Sequence, residues 1–380
     1  FQHFRKQHRF RDDRRVQVQP GYTIQFVHAL GYTRNVSLAR VRSYRLLGQR
    51  LRRLAAREPL PDIILTGIPS LEWCAAAVEY GRMHDVPVVL DVRDLWPDIY
   101  LQAVPARLRS MARWALTAQF RQAKRVCRQA SAICGVSQSY LEWGLQLANR
   151  SAKPTDRVFP LGYQPPNITT DERETLVAEL EARGVDRSKC ICVFAGLLER
   201  CYDLHTVLAA AEQLEREHPG RFQFVICGDG SKARDLRRRA ASIDNVLMLG
   251  WVNPATIAAL TSLAQIGLAA YSPGAPQSLP NKPFEYMAGA TAVVASLQGE
   301  LAHLLSKHQC GVTYRAGDVR SLADAVTALA ADSRRLQNMQ TRGRELFESQ
   351  FRIDRIRSEM ADYLCEVQTT QPANRHVAAA

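Results

Sequence analysis

The chain has 380 residues, is 46% hydrophobic and 23% charged, and carries a formal net charge of +13. That length exceeds one ordinary core, so two domains are expected, and the balanced composition excludes a disordered or fibrous protein. Nine cysteines form no zinc-type or redox pair at the usual spacing; several sit in apolar runs, which suits a reducing cytoplasm.

In chain order, the first sixty residues hold 14 Lys/Arg against 3 Asp/Glu, and the other 320 hold 36 against 34. The positive excess is therefore N-terminal. It reads either as solvated helix faces or as a field for phosphate, anionic lipid or nucleic acid. The spacing predicts strands at 23–28, 62–66, 87–92 and 132–136, separated by amphipathic helices at 37–57, 71–84 and 107–128. The last of these has seven basic and no acidic residues. "VVLDVRDLWPDIY" places Asp91, Arg93, Asp94, Trp96 and Asp98 at a strand end. It reads as a site, or as Asp94 capping, Trp96 in the core and Arg93 paired to Asp91 or Asp98.

"LGYQPPNITTDE" at 161–172 marks a linker with a helix N-cap at Thr169 or Thr170. Beyond it, strands are expected at 191–195, 222–227, 245–249, 266–271, 291–295 and 311–314. Helices are expected at 203–217, 231–242 and 318–331, and from 333 to about 366. Continuous apolar strands alternating with helices predict parallel sheets covered on both faces, in two doubly wound α/β domains. The run from 245 to 281 has no full charge, but Gly250, Asn253-Pro254 and Pro273-Gly274 break it, so it is not a membrane span. The tail from 367 is expected to be disordered.

Three places in the second series suggest an anion site. Gly196 ends a strand ahead of Arg200. Gly228-Asp229-Gly230 forms a strand-to-helix turn whose amides suit a phosphate. In "PNKPFEYMAGATAVVAS" a helix begins near Asn281–Pro283, with Lys282 and Glu285 in its first turn, where a carboxylate could equally be a cap. All three lie at carboxyl ends of strands, the edge at which open α/β sheets bind ligands.

The chain resembles the glycosyltransferase family 4 enzymes of the GT-B fold, of the type that builds bacterial exopolysaccharide, capsule or lipopolysaccharide. The segments that carry the likeness are "GYTRNVSLARVRSY", "VVLDVRDLWPD", "ICGVSQSYL", "VFPLGY", "VFAG", "VICGDGSKARDL", "NVLMLGWV" and "SLPNKPFEYMAGATAVVAS", in order over about 20–365. The resemblance implies two Rossmann-like domains facing across a cleft. An acceptor domain (1–164) is followed by a nucleotide-sugar domain (165–350) and a helix (351–366) returning to the first domain. It implies a retaining enzyme with no cofactor and no metal in the site. A UDP- or GDP-sugar would donate to a saccharide or polyprenyl-linked acceptor in the cytoplasm, peripherally on the inner face of the membrane. By resemblance, Glu285 holds the ribose hydroxyls, the Leu279–Lys282 loop lays amides on the diphosphate, and Arg200 with Lys282 neutralises it. Asp94 and Arg93 fall at the catalytic position of the first domain, and Gly250–Val252 would lie against the base. Gln277, Ser278, Leu279, Pro280 and Asn281 complete the donor loop, with Gly196, Gly228 and Gly230.

The sequence departs from the family pattern at several positions. Gln277 stands where a glutamate contacts the donor sugar, Tyr202 replaces a common lysine, and Arg93 replaces a histidine. The family's first strand, glycine-rich loop and first helix have no counterpart, so the first sheet is expected to lack a central strand. The arginines beside Leu46, Leu47, Leu51 and Leu54, and beside Trp114 and Phe120, suit an anionic membrane surface. No nucleic-acid module is recognisable. Two other readings stay open: a nucleotide-sugar epimerase of the same architecture, using Asp91, Asp94 or Asp98, and a non-catalytic partner subunit.

Overall fold

In the computed structural model the described residues are 6–34, 37–102 and 104–370. The chain divides into two compact units, one of residues 1–159 with 359–380, the other of Pro160–Ser358. The division falls a few residues before the domain boundary expected at 164/165.

The first unit opens with a hairpin, β1 (Arg14–Gln19) and β2 (Tyr22–Phe26), paired antiparallel. This corrects the expectation for 23–28. That segment is a strand, but it belongs to a two-stranded ribbon with a partner the sequence did not reveal. In "RRVQVQ" only Val16 and Val18 are apolar, too few to give the apolar face that marks a core strand. A parallel sheet follows in the order β3 (Ile64–Ile68), β4 (Val88–Val92), β5 (Ala132–Gly135), β6 (Arg157–Val158). β4 and β5 are buried at every position, as expected of strands covered on both faces. The helix expected over 107–128 is broken. It runs as Arg109–Ala115 and Thr117–Gln129, with Leu116 off helical geometry between them.

The second unit is a six-stranded sheet of β7 (Cys190–Ala195), β8 (Phe222–Cys227), β9 (Val246–Gly250), β10 (Ile266–Ala269), β11 (Ala292–Ala295) and β12 (Gly311–Thr313). Every pairing is parallel, in the spatial order β12-β11-β10-β7-β8-β9. The winding reverses between β7 and β10. Such a switch point opens a crevice at the carboxyl ends of the two strands, the edge carrying Gly196 and the loop before Lys282. Two apolar clusters, one on each face, bury both sides of this sheet.

The linker helix Thr170–Ala182 starts with a complete capping box, Thr169 with Glu172, which confirms the cap signal. The last helix, Ile353–Thr370, buries Ile356, Tyr363 and Val367 on one stripe. It includes 367–370, which were expected in the disordered tail. Residues 371–380 of that tail lie outside the described residues.

Candidate functional site

The second-unit site is built around the helix Asn281–Ala288. Its N-cap is Pro280, with no side-chain hydrogen bond, and it has no acidic residue in the first turn. Glu285 is the fifth helical residue, not a first-turn residue as the sequence suggested, so it caps nothing. The bland reading of Glu285 as a cap therefore fails on geometry. Pro283 sits where the missing N–H costs no intrahelical bond.

Lys282 is buried, 7% exposed. Its Nζ donates to the carbonyl of Ala195, at the end of β7. It also lies 4.4 Å from the centre of the Phe194 ring and 4.8 Å from that of Tyr202. A Cβ on Gly196 would collide with Nζ, and Gly196 sits at φ +150°. Glycine here makes room for the ammonium rather than for a ligand directly. Burial pulls the Lys282 pKa down to about 8, while the charge of Glu285 holds it up. Tyr202 forms part of the cage around Lys282.

Glu285 is half-buried, and burial raises its pKa against the attraction of Lys282 and a hydrogen bond from Tyr163. Tyr163 is thus a site residue that sequence reasoning missed. It stood in a stretch read as linker, although "VFPLGY" was among the resembling segments. Its backbone is fixed by N–H donation to Phe351 O (2.9 Å) and acceptance from Ile353 N (3.1 Å). Tyr163 and Glu285 line a cavity of about 630 Å³, which the loop 164–168, Arg173, Thr261 and Arg344 also border. Of the donor residues expected from sequence, only Glu285 borders it.

The donor loop is partly held in place. Ser278 Oγ donates to Glu300 Oε2 at 2.7 Å, Leu279 and Pro280 are buried, and Asn281 is exposed. Gln277 Oε1 is buried with no hydrogen-bond partner, an acceptor for which a native fold ordinarily provides a donor. Arg200 is exposed, and its carbonyl accepts from Ser272 Oγ.

The Gly228-Asp229-Gly230 turn engages two of its amides within the protein: Gly228 N donates to Gly250 O at 2.7 Å and Gly230 N to Asp229 Oδ1 at 2.9 Å. Ser231 donates its N–H and Oγ–H to the Glu199 carboxylate, at 2.9 and 2.6 Å. The protein's own carboxylate thus takes the anion position ahead of the helix Ala233–Ala240, and these hydrogen bonds lower the Glu199 pKa. A Cβ on Gly228 would meet Gly196 O at 1.8 Å, and one on Gly230 would meet Leu198 O at 2.6 Å. Both glycines serve the packing of two loops. Gly250 O accepts from Gly228 N at 2.7 Å, and Trp251 beside it is exposed.

In the first unit the charged cluster is internally satisfied. Asp91 is buried and pairs with Arg93 Nε at 2.5 Å; burial raises its pKa and Arg93 opposes the rise. Asp94 accepts from Leu95 N and from the indole of buried Trp96, both at 3.0 Å. Asp98 accepts from the Trp143 indole at 2.9 Å. Each residue fills the structural role open to it, with Asp94 bonding its own turn rather than a helix start. Phe120, expected at a membrane face, is buried, whereas Trp114 is 80% exposed. Among the described residues there is no cluster of metal-ligating side chains, and no helix is long and apolar enough to cross a membrane.

Residues 189–332, inside the second unit, match the family described as glycosyl transferases group 1. No curated protein matches the chain by sequence. Among solved structures, the sucrose-phosphate synthase of Thermosynechococcus elongatus superposes with a TM-score of 0.69 at 17% identity, over 95% of this chain and 87% of that one. The HepE protein of Anabaena, in complex with UDP, gives 0.65 at 14% identity, over 88% and 85%. The UDP-forming trehalose-phosphate synthase of Burkholderia xenovorans gives 0.66 at 14%, over 88% and 80%. At these identities the likeness establishes the fold, an α/β protein with two Rossmann-like domains of the GT-B class.

Proposed function

We propose that the protein is a retaining glycosyltransferase that takes a UDP- or GDP-sugar and transfers the sugar to a lipid-linked or growing saccharide in bacterial surface polysaccharide synthesis. The observation that carries this is the buried Lys282 with the half-buried Glu285 on one helix at the switch point of the sheet, inside the segment matching the group 1 glycosyl transferases. A buried ammonium next to uncapped helix amides is suited to a diphosphate. A carboxylate oriented by Tyr163 is suited to a pair of ribose hydroxyls. HepE was crystallised with UDP and with UDP-glucose, which supports the same donor class. Electrostatic stabilisation of the departing diphosphate would be the main catalytic contribution. In this reading Lys282 and Arg200 neutralise the diphosphate without a metal.

Isothermal titration with UDP, GDP and their glucose conjugates tests the reading. One nucleotide should bind, and Glu285→Ala should weaken it by at least about tenfold, the loss of a charge-assisted hydrogen-bond pair. If neither nucleotide binds, or Glu285→Ala binds like the wild type, the proposal fails.

A further inference from the structure

A second cavity of the second unit, about 590 Å³, is walled by β12 and by the helices Glu300–His308 and Ser333–Leu346. It shares no lining residue with the cavity that Glu285 borders. β12 ends the sheet and pairs on one side with β11, so its outer edge, Gly311–Thr313, is available as a wall.

The charge in this cavity is one-sided. Arg334, Arg335 and Arg342 line it against a single carboxylate, Asp332. Asp332 accepts from the backbone N–H of Arg335 at 2.9 Å, as the cap of its helix. Among the described residues none of the three guanidinium groups pairs with a carboxylate; Arg342 donates to Gln309 Oε1. Arg334, Asn338 and Arg342 are spaced i, i+4, i+8, which sets them on one helix face. Like charges around one hollow repel, and an anion there removes the repulsion. The neutral lining suits an organic group. Ser306, Thr313 and Asn338 have side-chain donors that no hydrogen bond among the described residues uses, and Leu305 and Met339 add buried apolar surface.

We propose that this cavity binds a small organic phosphate monoester, at a site separate from that of the nucleotide. Three guanidinium groups less one carboxylate leave a formal +2, and a phosphate monoester carries about −1.5 to −2 at neutral pH. Guanidinium forks match phosphate oxygens in pairs. The volume is that of a small-molecule site and leaves room beyond the phosphate itself, where Ser306, Thr313 and Asn338 meet the organic part. The proposal does not depend on the transferase reading.

The test is isothermal titration of the full chain with ribose 5-phosphate and with phenyl phosphate, beside inorganic phosphate. At least one ester should bind at a single site, about tenfold or more tighter than inorganic phosphate. The double variant Arg334→Gln/Arg342→Gln should weaken that binding by about tenfold or more and leave UDP or GDP affinity unchanged. Both arginines are exposed, so the variant should melt like the wild type. Glu285→Ala should bind the ester as the wild type does. Modification with p-hydroxyphenylglyoxal and peptide mapping gives a second readout, in which the bound ester protects Arg334 and Arg335. Failure of both esters to bind overturns the proposal, as does equal affinity for inorganic phosphate, the mark of an adventitious anion patch. Wild-type binding by the double variant, or protection confined to other arginines, also overturns it. Loss of ester binding in Glu285→Ala puts the ester in the nucleotide site and overturns it too.

Discussion

Lys282 shows how the site costs the apoprotein stability. Its pKa falls from the usual 10.5 to about 8 because burial disfavours the ammonium. Between those values the unfolded chain holds a proton that the folded chain has released. Stability attributable to this residue therefore rises as pH goes from about 8 to about 10.5. Nucleotide binding should follow the opposite course, weakening above pH 8 as the ammonium is lost. Lys282→Met should raise the apoprotein's stability at pH 7 by about 1–2 kcal/mol, since burial costs the ammonium more than its hydrogen bond to Ala195 O and its attraction to Glu285 return. The same variant should bind nucleotide at least tenfold more weakly. A lower melting temperature with intact binding would make Lys282 a purely structural residue. Gln277 offers a separate readout. Its buried Oε1 lacks a donor that a sugar hydroxyl would supply. Gln277→Leu should lower affinity for the nucleotide-sugar and leave that for the free nucleotide unchanged; equal loss of both would contradict a sugar contact.

At the scale of elements, the turns explain why local sequence misled. Gly228-Asp229-Gly230 has the composition of a phosphate turn, and its helix N-terminus is real. Glu199, from the loop after β7, bonds Ser231 two residues ahead of that helix. Thirty-two residues of separation hide this pairing from any local pattern. Glu199→Ala should cost about 1 kcal/mol, the net worth of its hydrogen bonds from Ser231, read from thermal unfolding. With the carboxylate gone, inorganic phosphate should stabilise the variant more than it does the wild type. Identical phosphate responses would show that Glu199 does not fill an anion position. The same limit applied to β1, whose two valines give no core signal, and to Glu285. Helix periodicity placed Glu285 near an N-terminus, but only the Pro280 cap position shows that it lies beyond the first turn.

For the whole molecule, the second unit has its own core on both faces of its sheet. It also contains Tyr163, Lys282 and Glu285 together. A fragment of residues 160–358 should therefore melt cooperatively and bind the nucleotide within about threefold of the full chain. A non-cooperative melt, or a tenfold loss of affinity, would show that residues outside this unit complete the donor site. The sequence by itself determined the α/β class, the six strands of the second sheet, the capping box at Thr169 and the neighbourhood of the site. These depend on periodicity and turn chemistry, which act over a few residues. The tertiary structure alone decided which role each residue takes. Gly196 makes way for Lys282, Gly228 and Gly230 lock two loops, Glu199 bonds Ser231 and Tyr163 shares a cavity wall with Glu285. These roles arise from contacts between residues far apart in sequence, and burial sets the charge state of Lys282 and Glu285 only once the sheet and its helices have closed around them.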